Sequence, residues 1–212
     1  MKEINVDLLE KMLAPQTSST ILMKSLDNLK PIKQDLKKIV IICLMSVVPA
    51  VLAGCSKDTV VIFRDSLEKI NDVLLAIFGI IFTGYVFFQA LINNELLVRM
   101  INDKVKKKDG EISKLQETNE EFVYLMMTCA VSIIFNLFLL LCFGAIPDDF
   151  AVLKNEVYNI IIAVILLCLY FSYIFYFMWE IKSFIFNIFQ LFKLYAGTRL
   201  IEIINEENDK DK

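Results

Sequence analysis

Four runs of this chain contain no Asp, Glu, Lys or Arg: 39–55, 73–92, 122–146 and 157–179. A helix needs about 20 apolar residues to cross hydrocarbon about 30 Å thick, and the bilayer leaves few alternatives, because every backbone polar group must be satisfied within the span. Composition agrees: 57% of the 212 residues are apolar, against about 45–50% for soluble domains. Only 6 Gly and 4 Pro interrupt the chain, so long helices are expected instead of a barrel. The predicted class is all-α, a polytopic membrane protein with four transmembrane helices. The first run is the shortest and carries Pro49, which removes a backbone donor and is expected to kink or fray it.

Basic residues set the orientation, because cytoplasmic flanks retain them during insertion. Seven precede residue 39, six lie between 93 and 121, five follow 179, and four are shared by loops 56–72 and 147–156. Both termini of a multi-pass protein are therefore expected in the cytoplasm. Leu52-Ala53-Gly54-Cys55 has the form of a lipoprotein cleavage site. The 38 residues ahead of the apolar run are too many for an ordinary n-region, and the small residues are read as the end of a span.

The flanking segments carry their own patterns. Within 1–38, Ile4, Leu8, Leu9, Met12 and Leu13 recur at helical spacing before Pro15, and a second stretch runs from Ile21 to Leu29, so two amphipathic helices are predicted on lipid or on a partner. The second helix is taken through 98 and on into a helical hairpin at 99–121, because Leu97, Ile101 and Val105 continue a stripe at intervals of four. Asp109-Gly110 marks the turn, and Ile112 and Leu115 resume the stripe. Long helices 2 and 3 are thus expected to protrude from the membrane as one hairpin, its first arm about 54 Å from residue 73 to 108. After Trp179, the segment 180–212 stays aromatic until Gly197, read as a break before a charged tail.

The residues needed for most chemistry are missing. The chain has no His, the commonest general base and metal ligand, and its 5 Cys include no CxxC pair. No catalytic residue, cofactor or metal site is predicted, and the chain is read as a non-enzyme. With a net charge of −3, no global basic field draws it to nucleic acid. The charge-free spans also lack the mid-membrane ionisable group usual in coupled transporters.

Three groups of residues remain as candidates. Thr128, Ser132 and Asn136, with Gly144 beyond, put small and polar side chains on one face of the third span, while Gly79 and Thr83 are four apart on the second. Such faces serve helix packing within or between subunits, line a pore, or hold a ligand. The hairpin residues Leu97, Ile101, Lys104, Val105, Lys107, Lys108, Ile112 and Leu115 form a basic, amphipathic surface suited to anionic lipid, an acidic partner or a nucleic-acid backbone, and Glu111, Glu117, Glu120 and Glu121 on the other arm favour pairing within the hairpin over binding DNA. Tyr158, Tyr176, Trp179, Phe184 and Phe189 suit interfacial anchors. Tyr170 and Tyr173 lie deeper and need hydrogen-bond partners, so they are expected on a face buried in protein.

Taken together, four spans with both ends inside, the hairpin between Leu97 and Leu115 and the aromatic extension from Phe184 to Tyr195 resemble the KwaA family, the membrane subunit of the two-component bacterial antiphage system Kiwa. The resemblance covers nearly the whole chain as topology and rests on no motif. It implies a homo-oligomer, a tetramer, that senses infection at the inner membrane and scaffolds a soluble cytoplasmic KwaB-like partner acting on phage DNA. The alternative is a pore-forming effector or channel that depolarises the cell, and a third is a small immunity or accessory membrane protein.

Overall fold

The computed structural model describes residues 10, 13, 15, 17–28, 36–107 and 110–210. It is all-α apart from one two-stranded ribbon. The elements are α1 (Ser18–Asn28), α2 (Leu36–Gly54), α3 (Thr59–Leu91), α4 (Asn94–Asn102), β1 (Lys104–Lys107), β2 (Gly110–Ser113), α5 (Lys114–Gly144) and α6 (Glu156–Lys210). Four of them, α2, α3, α5 and α6, are long and apolar enough to cross a membrane. Large apolar side chains stand outward along each, such as Leu52, Ile80, Leu141 and Leu169. Exposed apolar surface on this scale belongs against lipid or another chain.

The helix ends follow local chemistry. The Thr59 hydroxyl lies 2.9 Å from Ala53 O and 2.7 Å from Ser56 O, so its one hydrogen is shared between a carbonyl at the end of α2 and one in the turn, which fixes the entry into α3. Thr17 accepts from the Thr20 amide at 3.3 Å ahead of α1. The helix predicted from Ile21 thus begins at Ser18, while Ile4, Leu8, Leu9 and Met12 lie outside the described residues. Helix α2 runs through Pro49 to Gly54.

The predicted helical hairpin is corrected. Helix α3 stops at Leu91, and Asn93 restarts the chain as an N-cap, extended at φ −92° and ψ 171°, with its side chain accepting from the Leu96 amide at 2.8 Å. An Asn side chain that bonds this amide competes with helix continuation, and Glu95 in the first turn of α4 favours a new start. Beyond Asn102 the chain forms an antiparallel ribbon in which Val105 pairs with Ile112, Lys106 with Glu111 and Lys107 with Gly110. Gly110, at φ +124°, takes a conformation that side-chain-bearing residues rarely adopt. Lys108 lies outside the described residues. Ser113 then accepts from the Gln116 amide at 3.1 Å and caps α5. The expected break at Gly197 is also absent, as α6 continues through it to Lys210. One helical Gly costs about 1 kcal/mol relative to Ala, too little to stop a helix flanked by strong formers.

The chain divides into two compact units. One comprises Met1–Ser25, Gly79–Met127 and Phe184–Lys212. Its centre is Phe122, 2% exposed, edge-on to Phe184 with ring centroids 5.0 Å apart, stacked on Phe88 at 5.6 Å and against Tyr85 at 5.4 Å. Gly84 lies beneath this cluster, where an added Cβ would stand 3.1 Å from Ile188 Cδ1. The other unit comprises Leu26–Phe78 and Thr128–Ser183. It is built around Ala50, Phe63, Leu67, Leu167, Phe171 and Ile174.

Within the second unit, α2 lies antiparallel on α6 in a register fixed at three places. Lys38 pairs with Glu180, and its ammonium sits 4.6 Å from the Tyr176 ring centroid. Eight residues further along α2, Ser46 Oγ meets Ser172 Oγ at 2.6 Å. After eight more, Gly54 faces Val164 so closely that an added Cβ would stand 2.6 Å from Val164 Cγ2 and 3.1 Å from its backbone nitrogen. Gly54→Ala is therefore expected to destabilise the fold by about 1–3 kcal/mol, the usual cost of overpacking. Stepwise denaturation in detergent reads this, with Gly144→Ala, whose Cβ meets nothing within 4 Å, expected to be neutral.

Candidate functional site

The polar residues of α5 form an internal seam. Asn136 Nδ2 donates to Leu67 O of α3 at 2.7 Å, and the Tyr170 hydroxyl of α6 donates to Asn136 Oδ1 at 2.6 Å. One turn back, Ser132 Oγ meets the Tyr173 hydroxyl at 2.6 Å and donates to Thr128 O at 2.7 Å. Cys129 Sγ contacts Leu74 O at 3.3 Å. Asn136 and Cys129 are seven residues apart on α5, and the carbonyls they reach are seven apart on α3 in the opposite direction. This two-turn repeat is how antiparallel helices stay in contact along a shared face. Tyr170 and Tyr173 thus find the partners their depth requires.

Thr128, Ser132 and Asn136 are 1%, 2% and 1% exposed, so this face is closed within one chain. A pore lined by it has no opening here. The Thr128 hydroxyl is buried and has no hydrogen-bond partner among the described residues.

Gly144 does not join the seam. Four residues advance a helix about 40° past a full turn, so four such steps from Thr128 turn Gly144 about 160° away. Nothing lies within 4 Å of a Cβ added there or at Gly79. Gly79 and Thr83 both face outward, and the close approach on α3 occurs at Gly84.

The segment between α3 and α5 gathers the other predicted residues. Leu96, Met100, Ile101 and Leu115 are buried, Leu97 and Ile112 are half-buried, and Lys104 and Lys106 are exposed. Lys104 pairs with Glu111 across the ribbon at 3.1 Å with both side chains about half exposed, a surface pair worth at most about 1 kcal/mol. Val105 is half-buried opposite Ile112.

The anchor residues separate. Tyr158 and Phe189 are exposed at 58% and 52%. Trp179 lies under the Lys182 ammonium at 4.4 Å, a cation–π contact, while Tyr176 receives Lys38. Phe184 is corrected from an interfacial anchor to a core residue, 4% exposed against Phe122.

Two features had escaped the sequence reading. Arg64, expected in a loop, lies on α3 and donates to Phe143 O at 3.1 Å, Ile146 O at 3.2 Å and Asp148 Oδ1 at 3.0 Å. It satisfies carbonyls at the end of α5 and holds the following turn. The Ser46–Ser172 pair had a faint signal, since each is a hydroxyl within an apolar run. Among the described residues the five cysteines are free and no group of three His, Cys, Asp or Glu gathers to hold a metal ion.

Comparison of the chain with protein-family models, curated proteins and solved structures finds no match.

Proposed function

We propose that the chain is the homo-oligomeric membrane anchor and sensor of a two-component antiphage system of the Kiwa type, resident in the bacterial inner membrane with both termini cytoplasmic. The single observation that carries this reading is the ribbon, an element of exposed lysines mounted on a capped, buried base between two membrane-length helices. A chain that only needed to cross the membrane would need no such platform. The charge distribution favours the cytoplasmic side for it, and its lysines suit an acidic surface on a soluble partner. Disturbance of the bilayer changes packing among the spans, and the ribbon passes that change to the partner.

Closure of the Thr128–Ser132–Asn136 face supports this reading over the pore, which had rested on that face. The test is charge reversal at the ribbon in the full chain. Lys104→Glu with Lys106→Glu is expected to leave the amount of chain in the membrane unchanged, to lower co-purification of a soluble partner at least tenfold, and to abolish protection in a plaque assay. Unchanged partner recovery and unchanged protection would refute the ribbon's role.

A further inference from the structure

The second unit holds a cavity of about 650 Å³ between the α2–α3 turn, the α5–α6 loop and the adjoining parts of α3, α5 and α6. This size falls within the range of about 300–1,000 Å³ found for ligand sites. Most of its lining is apolar, with Phe63, Phe135, Leu139, Phe143 and Leu167 among it, and Tyr170 and Tyr173 also line it. Those two hydroxyls are already engaged with Asn136 and Ser132, so this part of the cavity suits hydrocarbon.

The rim is charged. Asp148 is held by Arg64, whereas Lys57, Asp149 and Glu156, also at the rim, form no ion pair among the described residues. Asn159 ties down the rim loop through both the amide and the carbonyl of Leu153, at 2.8 and 2.7 Å. Leu166 and Leu169 line the cavity although they are 60% and 64% exposed, so it is open sideways toward whatever surrounds the spans.

We propose that this cavity holds one acyl chain of a glycerophospholipid whose head carries both a phosphate and an ammonium, of the phosphatidylethanolamine type. Lys57 complements the phosphate, and Asp149 and Glu156 complement the ammonium. An anionic head without an ammonium would leave both carboxylates facing negative charge. The lateral opening admits the chain from the bilayer, and the apolar walls enclose it. This assignment requires only that the four helices span a membrane and is independent of the antiphage reading.

The test uses the full chain in nanodiscs of equal phosphatidylethanolamine and phosphatidylglycerol, with bound lipid measured by native mass spectrometry after release. One phosphatidylethanolamine per chain is expected, enriched at least fivefold over phosphatidylglycerol. Ala163→Phe, which fills the cavity from α6, should lower occupancy at least fivefold. Asp149→Asn with Glu156→Gln should erase the head preference while a chain stays bound. Equal binding of the two lipids by the unmodified protein, or full occupancy in Ala163→Phe, would overturn the proposal.

Should Ala163→Phe fail to fold, a phosphatidylethanolamine with a photoreactive acyl chain decides on the unmodified protein. Labelling at Phe63 and Leu167, which line the cavity and are 7% and 4% exposed, supports the site. Labelling confined to outward residues such as Leu44 and Leu52 overturns it, as does coverage of the cavity by a second copy of the chain.

Discussion

Phe122→Ala is expected to be the most damaging single substitution in the chain, lowering stability by about 3–5 kcal/mol in a reversible detergent unfolding assay. Phe122 is 2% exposed and touches three other rings, Tyr85, Phe88 and Phe184, contributed by two other helices. Edge-on and offset ring pairs add about 0.5–1.5 kcal/mol each beyond their burial. Truncation also leaves a void that Gly84, directly beneath, has no side chain to fill. Phe122→Leu should recover more than half of the loss, since it restores most of the volume but none of the ring geometry. Phe138→Ala, at a position 60% exposed, is the control and should change stability by less than about 0.5 kcal/mol. Equal effects at 122 and 138 would mean that the aromatic cluster does not form.

Asn136→Leu ranks second, with an expected loss of about 1–3 kcal/mol. The substitution keeps the branched shape and heavy-atom count of Asn, in a bulkier side chain, but removes the link from Leu67 O on α3 to Tyr170 on α6. Hydrogen bonds between membrane helices average only about 0.6 kcal/mol, because the separated helices also find partners. The larger figure comes from the Tyr170 hydroxyl, which is left buried with its acceptor gone. A double-mutant cycle separates the two contributions. Asn136→Leu with Tyr170→Phe should cost less than the sum of the single substitutions, by about 0.5–2 kcal/mol. Strict additivity would show that the two side chains do not interact.

The parts of this architecture that were legible in the sequence share one property: their signal is enforced over many residues. A charge-free run of about 20 residues has one common solution in lipid, so the four spans could be read directly. The intervals of four joining Thr128, Ser132 and Asn136 marked a common face, and the depth of Tyr170 and Tyr173 required that protein bury them. Extrapolation along the same pattern failed at Gly144, because the helical repeat drifts away from intervals of four.

The stripe of Leu97, Ile101 and Val105 misled for a related reason. Its first two members do share a helix, but Asn93 had already ended α3 and the third lies in a strand. A single capping side chain and a short alternation of Val and Ile with charged residues are weak local signals beside a continuing apolar periodicity. Phe184 was misplaced because sequence gives no measure of which aromatic residues past a span turn inward. Arg64 was missed because α3 begins fourteen residues before its charge-free run.

Whether the chain is a membrane anchor that holds a soluble partner is decided by purifying it, tagged and intact, from membranes in mild detergent, measuring native mass and identifying what stays bound. A homo-oligomer carrying one soluble protein in fixed ratio, lost on charge reversal at Lys104 and Lys106, is the expected result. A chain that emerges with no soluble protein, and conducts ions when reconstituted, would be a channel and not an anchor.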